Sequence, residues 1–164
     1  MDLVVGVDAG GTTSRAVVAT LSGQVVGRGV AGPGNPLSAG PRAAASIATA
    51  LRQALAGVST SAVTAGVLGL AGDSACTDPA ITAALAGAWA SAGLTCPWTV
   101  VGDAITAFAA GTSAPHGAVL IAGTGAVGAA VHDPGILSVS DRSEPDRYSM
   151  TTNCEPPGSM EPVS

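Results

Sequence analysis

Leu3-Val4-Val5-Gly6-Val7-Asp8-Ala9-Gly10-Gly11-Thr12-Thr13 runs an apolar strand into an acid, two glycines and two hydroxyls, and Ser14 to Thr20 then reads as a second strand. That order constrains the fold more than any other feature. A glycine pair that cradles phosphate usually leads from a strand into a helix. Here Arg15-Ala16-Val17-Val18-Ala19 is too short and too β-branched for a helix, and Ser22-Gly23 turns the chain back within a few residues. The expected unit is a hairpin with glycines at its tip and Asp8 at the end of its first strand. Backbone N–H groups at such a tip can hold phosphate oxygens, and the carboxylate beside them can hold a hydrated Mg²⁺.

The rest of the first 133 residues extends this unit into an α/β domain. Strands are expected at about 3–8, 14–20 and 24–31, followed by the turn-rich loop Gly32-Pro33-Gly34-Asn35-Pro36. A helix at about 41–56 places Ile47, Leu51, Leu55 and Val58 on one face. Val63 to Leu70 reads as a buried strand that ends in the Ala71-Gly72-Asp73 loop. Asp78 is a good N-cap with Pro79 at the first helical position, and Ile81, Leu85 and Trp89 line the buried face of that helix. Trp98 to Val101 is a short strand, after which Asp103 starts a helix that Gly111 closes. Ala118 to Ala122 and Val127 to Val131 read as two further strands joined at Gly123-Thr124-Gly125. The order βββαβαβα predicts a mixed five-stranded sheet covered on both faces, with the last hairpin as the first piece of a second copy. A nucleotide would lie between the copies.

Composition removes several function classes. The chain carries a net charge of −5 and no lysine, so a phosphate-binding surface for nucleic acid is not expected. The N-terminus has no basic segment before its apolar run, and the apolar stretch 118–131 is too short and too glycine-rich to span a bilayer, so neither a signal peptide nor a membrane segment is expected. Cys76, Cys96 and Cys154 are scattered and lack metal-ligand spacing, which fits a cytoplasmic, reduced protein. His116 and His132 do not read as ligands, and Trp89 and Trp98 read as core.

A compositional break falls near residue 133. Residues 1–133 contain 33 alanines and no glutamate, whereas residues 134–164 contain no alanine, six serines, five prolines and three glutamates. The expected organisation is therefore a first domain at 1–115, the start of a truncated second domain at 116–133, and a disordered or frame-shifted tail at 134–164 that carries no chemistry.

The motifs in this order resemble the actin-like ATPase and sugar kinase superfamily, and within it the N-acetylglucosamine kinases and the BadF/BadG/BcrA/BcrD-type ATPases. The matching pieces are Asp8-Ala9-Gly10-Gly11-Thr12-Thr13, Gly32-Pro33-Gly34-Asn35-Pro36, Gly69-Leu70-Ala71-Gly72, Gly102-Asp103-Ala104 and Leu120-Ile121-Ala122-Gly123-Thr124-Gly125. The resemblance implies a ribonuclease H-like domain that uses ATP and Mg²⁺. Asp8 would hold the metal through water, and Gly10, Gly11, Thr12 and Thr13 would contact the phosphates, with Gly123, Thr124 and Gly125 closing from the second domain. Asn35 and Gly72 would bind sugar hydroxyls. Asp103 would bind the attacking hydroxyl and take its proton as general base. Read as residues only, Asp8 could end a strand, Asp103 could cap a helix and Asn35 could serve a turn.

The chain carries Ala126 and Val127 where hexosamine kinases of this group have Ser and Asn, and it lacks their later Gly-Asp-Glu-Gly-Ser-Gly stretch. Three functions follow as expectations. The first is ATP-dependent phosphorylation of a sugar such as N-acetylglucosamine, by a truncated form inactive alone. The second is an ATPase that drives a partner protein, and the third a non-catalytic fragment. Expected partners are a small sugar, with no nucleic acid or membrane; association into a homodimer is left open.

Overall fold

The computed structural model describes residues 2–122, 126–132, 136–141 and 144–150. It opens with β1 (Leu3–Ala9), β2 (Ser14–Thr20) and β3 (Val25–Ala31). In β1 the side chains of Leu3, Val5, Val7 and Ala9 are buried while Gly6 and Asp8 are exposed, the period of two that a sheet with one packed face imposes. β2 pairs antiparallel with β1, setting Arg15 opposite Asp8 and Ser14 opposite Ala9. The chain thus reverses at the glycine tip, as its sequence predicts.

Two helices follow β3. The short α1 (Pro36–Ala39) falls where the sequence suggests the end of a loop. It forms because Asn35 Oδ1 accepts the Leu37 N–H at 2.9 Å and Pro36 sits at the first helical position. α2 (Arg42–Ala54) buries Ile47 and Leu51 together with Ala43, Ala50 and Ala54. β4 (Val63–Leu70) then pairs parallel with β1. α3 (Pro79–Ser91) is capped by Asp78, whose Oδ1 accepts the Ala80 N–H at 2.8 Å. β5 (Trp98–Gly102) pairs parallel with β4, and α4 (Asp103–Gly111) begins at the next residue. The strand order β3-β2-β1-β4-β5 makes the expected mixed five-stranded sheet.

Helices cover both faces. Gly66 and Gly69 of β4 point to opposite sides because they are an odd number of residues apart. A Cβ at Gly66 would enter the Trp89 indole of α3, and one at Gly69 would meet Thr106 of α4 at 2.6 Å. The larger core lies under α2 and α3, where Val5, Val18, Ile47, Leu51, Leu68 and Leu70 are fully buried. Trp89 belongs to it and stacks on Trp98 with ring centroids 5.0 Å apart and planes 16° from parallel. No helix among the described residues is long and apolar enough to cross a membrane.

The Gly66 contact yields a stability prediction. β4 is held by ladders on both sides, so a methyl group at residue 66 cannot be absorbed by shifting the strand. Overpacking of this kind costs about 1–3 kcal/mol. Gly66→Ala is expected to lower the melting temperature by roughly 2–12 °C for a chain of this size. Thermal unfolding followed by circular dichroism measures it, and Trp89→Leu in the same chain is expected to relieve most of the loss.

β6 (His116–Ala122) and β7 (Ala126–His132) form the expected hairpin, and β8 (Ile136–Asp141) and β9 (Glu144–Met150) extend it to a four-stranded antiparallel meander. Ala129 and Val131, with the partly buried Val119 and Ile121, pack on Ala104, Ile105 and Phe108 of α4, so the hairpin is docked rather than isolated. The two outer strands differ from the disorder expected after residue 133. The edge of β7 that β6 leaves open is where β8 pairs. Leu137-Ser138-Val139-Ser140 has the alternation that lets a short segment pair there, with Ala129 opposite Val139.

Candidate active site

β1, β4 and β5 run parallel and end on one side of the sheet, where Asp8, Gly72, Asp73 and Asp103 follow or close them. Ligands of α/β sheets bind outside the carboxyl ends of such strands.

The glycine tip is fixed by its own backbone. The Gly10 N–H donates to the Thr13 carbonyl at 3.0 Å, and the Gly10 carbonyl accepts from Gly34 at 2.9 Å and Asn35 at 3.1 Å. These bonds pin the loop after β3 to the glycine turn. A Cβ at Gly34 would enter the side chains of Ser14 and Ala9, so only glycine lets the two segments approach this closely. Gly11 and Thr12 remain exposed at the tip, and Thr13 is half-buried. Asp8 sits beside them, 53% exposed, with Arg15 3.5 Å away and 61% exposed. An exposed pair at that distance binds weakly, so the carboxylate stays open to the cleft.

Asn35 and Gly72, 37 positions apart in the sequence, meet in space. Gly72 is left-handed, at φ 76 and ψ 38, and a Cβ there would stand 2.8 Å from Asn35 Oδ1 and 2.9 Å from Leu37 Cδ1. The Ala71 N–H donates to the Ala9 carbonyl at 3.0 Å, which ties this loop to the end of β1.

Asp103 occupies the first turn of α4, with Gly102 in the capping position. Burial pushes its carboxyl above the ordinary aspartate value. The Ala104 N–H works against that shift, while the carboxylates of Asp73 and Asp8 add to it. A raised value suits a general base, because a carboxylate that binds its proton more tightly is the better acceptor.

Asp73 is the residue that sequence reasoning passes over. Its Oδ2 lies 3.0 Å from where a Cβ on Gly102 would be, directly before Asp103. A signal is present: the Gly72-Asp73 pair just past β4 repeats the Gly102-Asp103 pair at the end of β5. Gly123, Thr124 and Gly125 lie outside the described residues; β6 ends at Ala122 and β7 begins at Ala126.

Among the described residues no three His, Cys, Asp or Glu side chains form a cage that could hold a metal directly. The donor set fits Mg²⁺ of another kind, kept mostly by water and substrate phosphates and touched by one or two carboxylates. Asp8 at the glycine tip is the group in position for that, and the bound ion would supply charge neutralisation of the phosphates.

Solved structures carry the same fold. A protein assigned as an N-acetylglucosamine kinase from Chromobacterium violaceum matches with a TM-score of 0.58 at 23% identity, over 85% of this chain and 48% of that one. A second protein so assigned, from Porphyromonas gingivalis, matches with a TM-score of 0.59 at 24% identity, over 86% of this chain and 47% of that one. A ROK family glucokinase from Streptomyces griseus, solved with glucose and AMPPNP, gives a TM-score of 0.58 at 22% identity, over 80% of this chain and 45% of its own. The chain thus spans about half the length of these relatives. No curated protein matches it. Residues 5–154 match one family along nearly the whole sequence, and the chain belongs to the BadF/BadG/BcrA/BcrD ATPase family.

Proposed function

We propose that this chain carries the acceptor-binding and catalytic half of an ATP-dependent sugar kinase that phosphorylates N-acetylglucosamine or a close relative. The observation that carries the reading is Asp103: a half-buried carboxyl with a raised proton affinity, at the end of β5. Asn35 and Gly72 adjoin each other across the same rim. In the mechanism, the sugar lies along the Asn35–Gly72 loop with one hydroxyl at Asp103. The Asp103 carboxylate accepts the hydroxyl proton as the oxygen attacks the terminal phosphorus of ATP, and ADP leaves. Gly11, Thr12 and Thr13 would hold phosphate oxygens, and Asp8 would hold the hydrated Mg²⁺. Positioning and charge neutralisation supply most of the rate in such transfers. Gly123, Thr124 and Gly125 would contact the phosphates as well.

The negative rim favours a neutral acceptor. Three aspartates gather at the strand ends, and the chain has no lysine, so an anionic acceptor, which unlike ATP brings no Mg²⁺, would meet repulsion there. A hydroxyl-rich sugar brings donors instead.

The family's membership as ATPases supports a second reading, in which hydrolysis drives a partner protein. One experiment separates the two. A chain extended to the length of its relatives is screened with Mg-ATP against a panel of sugars for ADP release. Stimulation by a sugar, with the sugar phosphate recovered, is expected. Turnover that no sugar changes would overturn the kinase reading in favour of the ATPase.

A further inference from the structure

β4 and β5 run parallel with Leu70 opposite Gly102, so the segments that leave them emerge side by side. Beyond β4 the chain turns at the left-handed Gly72, and Asp73 opens a short 3₁₀ turn over Asp73–Thr77. Its carboxyl lies against Gly102, with Oδ2 3.0 Å and Cγ 3.6 Å from where a Cβ on that glycine would stand. Gly102 caps α4, and Asp103 is the next residue. Any side chain at 102 would press on the Asp73 carboxyl, which glycine leaves in place beside the start of α4.

Two carboxylates held this way repel each other, and the repulsion is relieved when one of them takes up a proton. The charged groups facing Asp103 come from three elements. Asp73 follows β4, Asp8 lies in β1, and Arg15 on β2 stands 3.5 Å from Asp8 and offsets part of its charge. Burial is the main reason that Asp103 holds its proton tightly, and Asp73 comes ahead of Asp8 among the charges that add to it. Asp73 need move no proton itself; it bears on the group that does.

We propose that Asp73 is a positioning residue for the transfer step, its carboxylate set against Gly102 so that like-charge repulsion makes Asp103 a stronger proton acceptor. The proposal rests on the reading of Asp103 as general base and adds what tunes it. Brønsted behaviour passes a change in base strength only partly into rate. The expected effect on turnover is therefore modest, well below that of losing the base.

The test starts with the 164-residue chain, without nucleotide or sugar. Carboxyl-carbon NMR follows the Asp103 titration, assigned by the signal that Asp103→Asn removes. In Asp73→Asn, which keeps the shape and drops the charge, the Asp103 titration is expected at lower pH than in the wild type. Asp73→Glu keeps the charge and is expected to stay close to the wild type. A merely structural Asp73 would give the reverse order, with the isosteric asparagine harmless and the longer glutamate disruptive. Gly102→Ala displaces the carboxylate without removing it and moves the titration the same way by less. In a chain extended to the length of its relatives, Asp73→Asn moves the acid limb of sugar-dependent turnover to lower pH. Turnover at neutral pH falls by roughly 2- to 5-fold at unchanged KM. An Asp103 titration that Asp73→Asn leaves in place overturns the proposal, and so does turnover that stays at the wild-type rate. Wild-type turnover that no sugar changes overturns the kinase reading instead, and the titration still decides whether Asp73 acts on Asp103.

Discussion

Asp103→Asn, in a chain extended to the length of its relatives, is expected to lower phosphoryl transfer by about 10²–10⁴-fold, the usual contribution of a general base. Nucleotide affinity should be largely preserved, because the proposed mechanism places the phosphates at the glycine tip and not at α4. Asparagine keeps the shape of the side chain and loses the one thing the step needs, a group able to accept a proton. The cap cannot account for such a loss, since Gly102 holds the capping position and Asp103 lies inside the first turn. Coupled measurements of sugar-dependent ADP release and of ATP binding separate the two effects. A variant with most of its turnover intact would remove Asp103 from the mechanism.

The same substitution carries a stability signature of opposite sign. The folded-state value of Asp103 is raised above its unfolded one. Between those two values the folded state holds more protons than the unfolded state, so stability falls as pH rises through that window. Ionised Asp103 therefore weakens the fold at neutral pH, and the asparagine variant melts at a higher temperature there. Below the ordinary aspartate range the Asp103 carboxyl is protonated in both the folded and the unfolded state, and the difference disappears. A gain in stability paired with a loss of turnover is what a functional carboxylate held in an unfavourable place produces. Melting curves of the two proteins across pH check it.

Much of this arrangement was legible in the sequence because the strands state their environment. The buried residues of β1 alternate, and β4 runs Val63 to Leu70 between clear turn signals, so both were read within a residue. Asp78-Pro79 fixed the start of α3 for a similar local reason. What escaped was set by contacts between segments. α1 is a single turn whose only advance notice was Asn35 before a proline, which equally signals a turn. Asp73 gained its place only when β4 and β5 came to lie side by side. β8 and β9 are masked by composition: the change from alanine to serine and proline leaves only a four-residue alternation, too short to mark a strand.

The second large effect belongs to a residue that touches no substrate. Gly69 lies under α4, and a Cβ there would stand 2.6 Å from both Cγ2 and Oγ1 of Thr106 and 3.1 Å from its Cβ. Rotation of Thr106 cannot open the space, because a β-branched side chain puts a heavy atom in two of its three staggered positions. Either β4 or α4 must yield. β4 is central in the sheet, with Leu68 and Leu70 fully buried, whereas α4 has only Ala104 buried. The helix is therefore the part that moves. Its first turn is joined to this contact by the 2.8 Å bond from Thr106 Oγ1 to the Asp103 carbonyl, so the shift carries the Asp103 backbone with it. A displacement of about 1 Å at a reacting group can cost roughly 10²-fold in rate. Gly69→Ala is expected to lose about that much turnover in the extended chain, with the melting temperature down by only a few degrees, since overpacking at a yielding site stays near the lower end of about 1–3 kcal/mol. Thr106→Ala removes both clashing groups, and the double variant should recover most of the rate, a non-additivity expected only of residues in contact. Activity retained in Gly69→Ala, or not recovered in the pair, would mean that α4 is held to the cleft by something other than this contact.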